Sequence, residues 1–238
     1  MDGSLSLSNV SIGYGHRVIA AHLNTSVDNG QLICLLGPNG SGKSTLLRCI
    51  AGLQKPLTGN ISTSQSPADV SITLTTRVSI QHLTVHDMVA MGRAPHTGFF
   101  GRLTSDDEAV VNHSLQYLHI GHLAKCCVDS ISDGEYQKVM IAKSLAQQTG
   151  IILLDEPTAF LDFQSKVEVM QTVSRLAHEQ EKIIILSTHD INMALQFADV
   201  LWILKDGTMS CASPSEFINT GVIQEFVGKE ASMFIIKK

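Results

Sequence analysis

The chain has 238 residues, 44% of them apolar, with 17 basic and 22 acidic side chains and a formal net charge of −5. That length makes one large domain or two small ones, at ~100–200 residues each, and leaves room for a substantial core. The acidic balance gives no electrostatic support to a nucleic-acid partner, and none is expected.

In chain order, Leu5, Leu7, Val10 and Ile12 alternate roughly with polar residues, as in a half-buried strand. Tyr14 follows in a Gly-Tyr-Gly turn, where a flat ring can stack on a base or simply pack. Residues 18–27 read as a second strand, and Asp28-Asn29-Gly30 as a turn. Residues 31–36 form a short apolar run of buried-strand type. It leads into Gly37-Pro38-Asn39-Gly40-Ser41-Gly42-Lys43-Ser44-Thr45, which fits the pattern G-x-x-x-x-G-K-[ST] of a phosphate-binding loop. Residues 44–50 read as a helix, with Gly52 just past its end. In that setting Gly37, Gly40 and Gly42 let the backbone curl so that successive N–H groups point at one anion. The helix N-terminus adds partial positive charge. Lys43 can then reach the β- and γ-phosphates, and Ser44 can offer a hydroxyl to Mg²⁺.

Short strands are expected at residues 61–63 and 70–74. Thr84-Val85-His86-Asp87 is an N-cap signature for a helix that follows. Residues 92–102 read as a loop, and Phe99 and Phe100, with Arg93 and Arg102 nearby, read either as a docking site or as caps on a local core. Thr104 and Asp107 cap a helix running to about residue 119. Residues from about 81 to about 148 thus form a mainly helical insertion. Within it, residues 130–138 are a polar turn leading into a helix over 139–147, an anion site by geometry.

Residues 151–154 are a buried strand ending in Asp155-Glu156-Pro157. Acids at the C-terminal end of such a strand sit where an α/β sheet keeps its ligands. Asp155 can hold Mg²⁺ there, and Glu156 can take a proton from water. Residues 183–186 end in Ser187-Thr188-His189-Asp190, which places His189 at the same edge. Residues 200–204 and 208–212 around Asp206-Gly207 read as a hairpin, and Ser213 caps a last helix with Pro214 at its first position.

The five cysteines form no Cys-x-x-Cys pair, so a reduced, cytosolic chain is the expectation. Residues 1–4 lack the features of a secretory leader, and no run nears ~18 apolar residues, so any membrane role is expected to go through a partner. The ten histidines show no metal-ligand spacing, and His113, His119 and His122 read as a wet helix face.

The phosphate loop, then Ile131 to Gln137, then the strand ending in Glu156, then His189, resemble in that order the ATP-binding subunits of ATP-binding-cassette (ABC) transporters. The resemblance covers nearly the whole chain. It implies an α/β fold: a P-loop NTPase core with a mainly parallel sheet, an antiparallel N-terminal β part and an inserted helical subdomain, all in one domain over 1–238. It implies ATP and Mg²⁺ as cofactors. The ATP would lie on residues Gly37 to Thr45, and Ser44 and Asp155 would hold the metal. Tyr14 matches the adenine-stacking aromatic. Ser132 and Gly134 match the signature, usually Leu-Ser-Gly-Gly-Gln, that binds a γ-phosphate held by a second copy. Asp162, in Ala159-Phe160-Leu161-Asp162, matches the loop across the dimer. Glu156 matches the catalytic base, His189 the γ-phosphate switch, and Lys43 completes the catalytic set.

Two departures stand out. The signature reads Ile131-Ser132-Asp133-Gly134-Glu135, with a carboxylate in place of the glutamine. The family's glutamine after the strand at 70–74 has no clear match, since Thr75-Thr76 follow and the nearest glutamine is Gln81. Residues 91–96 and 98–103, Met-Gly-Arg-Ala-Pro-His and Gly-Phe-Phe-Gly-Arg-Leu, are similar to subunits that energise uptake of iron–siderophores, haem and vitamin B12. That implies a peripheral ATPase on the cytoplasmic face of the inner membrane. Two copies would pair head to tail around two ATPs, beside a permease and, indirectly, a substrate-binding protein. An ATPase of another ABC transporter and a non-hydrolysing nucleotide-sensing module are the other readings. The second should lack the base, yet Glu156 is present.

Overall fold

The computed structural model describes residues 4–63, 70–74, 82–98 and 101–228. Strand β1 (Ser4–Tyr14) pairs antiparallel with β2 (Arg17–Asp28) and with β4 (Thr58–Thr63), in the order β2-β1-β4. Leu5, Leu7, Val10 and Ile12 are all buried, although Leu7 and Val10 are three residues apart. A register shift against β2 between them, with Asn9 at φ 53°, returns Val10 to the apolar face.

The second sheet has the order β5-β6-β7-β3-β8-β9, from β5 (Val70–Thr73), β6 (Ile151–Leu154), β7 (Ile183–Ser187), β3 (Leu32–Leu36), β8 (Val200–Lys205) and β9 (Thr208–Ala212). Its first five strands run parallel, and β9 closes an antiparallel hairpin on β8. The parallel strands are apolar throughout because both faces are covered. Leu32, Cys34, Leu36, Ile152, Leu154, Ile184 and Leu186 point into one core with α5 (Phe163–Glu179) and α6 (Ile191–Phe197). Ile33, Leu35, Leu153, Ile185 and Trp202 point into the other, shared with the first sheet and with α1 (Lys43–Ile50). Short helices α7 (Pro214–Asn219) and α8 (Val222–Val227) end the described chain.

Between β5 and β6 lie α2 (Val85–Ala90), α3 (Ser105–Tyr117) and α4 (Asp133–Ala146). The capping signals at Thr84/Asp87 and Thr104/Asp107 both close as capping boxes. Helix α4 starts at Asp133, six residues before the start expected from the sequence. Ser132 is its N-cap and Glu135 closes the box, so Asp133-Gly134 is a first helical turn and not a loop.

Arg93 also departs from expectation. It is 6% exposed and belongs to no docking surface. Its guanidinium donates to Asp107 Oδ1 at 2.8 Å, to the Ala146 carbonyl at 2.7 Å and to Gln148 Oε1 at 2.7 Å, tying the ends of α3 and α4 together. Bonds from the Thr104 amide and hydroxyl, and then from Arg93, hold the Asp107 carboxyl down to about 2. This support is present above the ordinary carboxylate range of ~3.9 and is lost only as pH falls through about 2. Phe99, Phe100, Thr75 and Gln81 lie outside the described residues. Among the described residues, no helix is long and apolar enough to cross a membrane.

Candidate functional site

The glycine-rich loop leaves the C-terminal end of β3, which lies between β7 and β8. Gly37 has no room for a side chain, because a Cβ there would stand 2.5 Å from the Leu204 carbonyl oxygen. Gly42 caps α1 at φ 106°, a conformation that other residues resist. The first amide to close the helix ladder is that of Leu46, onto the Gly42 carbonyl at 2.8 Å. The N–H groups of Lys43, Ser44 and Thr45 therefore form a first turn with no intrahelical carbonyl to bond. The buried Ser41 hydroxyl also lacks a partner. A cradle of spare donors at a helix N-terminus fits a phosphate chain.

Lys43 is 6% exposed. Its ammonium folds back over the loop, donating to the Gly37 carbonyl at 2.8 Å and the Pro38 carbonyl at 3.4 Å. Burial lowers its pKa, while the Glu156 and Asp155 carboxylates pull it back up. His189 Nε2 stands 3.5 Å from Lys43 Nζ and 2.5 Å from Glu156 Oε1. Lys43, His189 and Glu156 thus form a continuous polar chain beside the loop.

Asp155 and Glu156 follow β6 directly and are fixed by a residue the sequence reading did not single out. Buried Ser187, at the end of β7, donates to Asp155 Oδ1 at 2.7 Å and accepts from the Glu156 amide at 2.8 Å. The Asp155 amide donates to the Thr73 carbonyl at 2.9 Å. Glu156 takes φ 50°, which turns the chain sharply out of the strand direction. A serine at a strand end carries no sequence signal; only the pairing of β6 with β7 brings it under the acid pair. Asp155 and Ser44 offer hard oxygen donors of the kind Mg²⁺ takes.

Tyr14 is the last residue of β1, not part of the turn, and it is 51% exposed. Its hydroxyl lies 3.1 Å from Thr45 Oγ1, which tethers the ring at the edge of the loop.

The remaining predicted residues gather elsewhere. Ser132 caps α4 and Asp162 caps α5. A Cβ on Gly134 would meet the Ser165 hydroxyl at 3.1 Å, so the two helix starts adjoin. Ser132 Oγ donates to Glu135 Oε2 at 2.7 Å, and that bond holds the Glu135 carboxyl below its usual range. Asp162 accepts from the Ser165 amide at 2.9 Å and hydroxyl at 3.0 Å. Among the described residues, none of Ser132, Gly134 and Asp162 bonds to the glycine-rich loop.

The sequence pattern of the ABC transporter family matches residues 20–159. The chain is 37% identical over 216 residues to an iron(3+)-hydroxamate import ATP-binding protein of Bacillus subtilis, covering 87% of this chain and 80% of that one. It is 32% identical to the ferric enterobactin transport ATP-binding protein of Escherichia coli, covering 92% and 85%. A solved metal-chelate type ABC transporter in an inward-facing conformation superposes with a TM-score of 0.87 at 30% identity, over 94% of this chain and 89% of that one.

Proposed function

The chain belongs to the ABC transporter family as an ATP-binding subunit, and we propose that it powers import of an iron chelate through a separate membrane permease. It is an ATPase, and the observation that supports the site of hydrolysis is the chain Lys43–His189–Glu156 beside the phosphate cradle. The substrate class follows from the relatives, which are ATP-binding proteins of iron(3+)-hydroxamate import and ferric enterobactin transport.

In this reading ATP lies on Gly37 to Thr45, with Tyr14 against the adenine. Mg²⁺ would sit on Ser44 and Asp155 and, when bound, would neutralise phosphate charge. Lys43 leaves the loop carbonyls for the β- and γ-phosphates. A water oxygen forms a bond to the γ-phosphorus, the bond to the β–γ bridging oxygen breaks, and Glu156 takes the water's proton. Phosphate and ADP are the products. His189 pairs with the Glu156 carboxylate and stands 3.5 Å from Lys43 Nζ, and it holds the γ-phosphate in this reading.

Ser132, Gly134 and Asp162 lie away from the loop and serve the site of a second copy in a head-to-tail pair. The helical block at about 81–148 faces the permease within a single domain. The subunit works from the cytoplasmic face of the membrane, fed indirectly by a substrate-binding protein.

Tyr14→Ala is expected to weaken ATP binding by ~1–3 kcal/mol, as loss of a stacking ring does. Tyr14→Phe keeps the ring and loses only the bond to Thr45, a net ~0.5–1.5 kcal/mol at most. Equal affinities for wild type and Tyr14→Ala by calorimetry would remove the ring from the nucleotide site.

The function itself is tested by uptake. Cells that carry this subunit with its permease should accumulate radiolabelled ferric hydroxamate, and cells carrying Glu156→Gln instead should not. Uptake at the wild-type level with Glu156→Gln contradicts the proposal, and uptake of cobalamin in place of the iron chelate contradicts its substrate class.

A further inference from the structure

The acid that takes Mg²⁺ in the reading above is fixed from two sides. Ser187 donates to its carboxylate from β7, and the Thr73 carbonyl accepts the Asp155 amide from β5 at 2.9 Å. The two sides are not equal. Strand β7 lies inside the sheet, whereas β5 is its edge, four residues long and paired to β6 alone among the described residues. The end of a short edge strand frays unless something else holds it.

Strand β5 also buries its polar face. Ser71 and Thr73 are buried, two apart on one side of the strand, while Val70 and Ile72 on the other side are only partly covered. Buried hydroxyls cost free energy unless they are bonded. Ser71 Oγ lies 3.1 Å from Thr149 Oγ1, and Thr73 Oγ1 lies 2.8 Å from the buried Ser144 Oγ on α4. Ser144 is a firm anchor, because the Arg93 guanidinium ties down the Ala146 carbonyl on the same turn. Thr73 is β-branched and stiff at χ1. A bond to its hydroxyl therefore also fixes the carbonyl that receives Asp155.

We propose that Thr73 and Ser144 are positioning residues for Asp155: their hydroxyl bridge pins the end of β5, and through the Thr73 carbonyl it sets the acid where Mg²⁺ is taken up. The inference rests on the metal reading above and deepens it. Outer partners of a metal ligand govern affinity because they fix where the ligand points. Helix α4 begins at Ser132, the cap that serves the second copy, so one rigid element joins that face to the acid.

The test measures ATP affinity by calorimetry, with Mg²⁺ and with EDTA, in a Glu156→Gln background. The ratio of the two affinities reads the metal. Asp155→Asn should remove most of it. Thr73→Val together with Ser144→Ala takes out both hydroxyls and leaves neither buried alone. The melting temperature of the nucleotide-free chain should then stay close to that of the parent. The ratio should fall about tenfold, the low end for an outer partner of a metal ligand. Ser144→Ala alone breaks the bridge and should lower the ratio as well. Thr73→Ser keeps the hydroxyl and should keep the ratio. Ser71→Ala removes the neighbouring buried hydroxyl and should lower the melting temperature with the ratio intact. A ratio that survives Asp155→Asn defeats the metal reading itself. A ratio lost with Asp155→Asn but kept when the bridge is broken, or lost equally with Ser71→Ala, overturns this inference alone.

Discussion

Glu156→Gln is expected to bind ATP and fail to hydrolyse it. The amide keeps the shape of the carboxylate and loses its capacity to take a proton. General-base catalysis is worth about 10²–10⁴ in rate, and most of that should vanish. Binding should survive because the cradle belongs to a different element, the turn from β3 into α1. The backbone around position 156 should also hold, since the Ser187 hydroxyl bonds the amide nitrogen there and not the side chain. ATP should therefore remain on the protein through gel filtration, on a species of two chains. Loss of bound ATP from this variant would show that Glu156 is a binding group and not the base.

Lys43→Met should be the second severe change. The ammonium is the only side-chain cation placed on the loop's own carbonyls, 2.8 Å from that of Gly37, among the described residues. Removing one preorganised electrostatic partner of a transition state costs about 10²–10³ in kcat. Methionine fills the same buried slot, so packing around α1 should not collapse. Burial already disfavours the charged form, and the Glu156 and Asp155 carboxylates offset part of that. With the ammonium gone, those carboxylates face the triphosphate unscreened, and ATP affinity should fall together with the rate. Calorimetry and single-turnover phosphate release separate the two losses. Hydrolysis at the wild-type rate would exclude Lys43 from the reaction.

Parts of this site were legible in the sequence because their signals are local. The loop from Gly37 to Thr45, the acids after β6 and the hairpin at Asp206-Gly207 each state their turn chemistry within a few residues. The misreadings involve competition between local and distant signals. Asp133-Gly134 looks like a turn, yet the capping box of Ser132 with Glu135 begins α4 there, and the missing side chain of Gly134 lets the start of α5 approach. Arg93 lies among glycines and a proline and reads as surface. Its partners Asp107, Ala146 and Gln148 are far along the chain, and only folding makes it a buried tie. Ser187 is silent for the same reason: its role exists only where two parallel strands end side by side.

The central claim is that this chain hydrolyses ATP and that Glu156 is the base. Steady-state phosphate release from purified wild type and from Glu156→Gln, measured side by side with saturating ATP and Mg²⁺, tests it most directly. Wild type should turn over and the variant should fall by at least about a hundredfold. Equal rates for the two proteins would contradict the account.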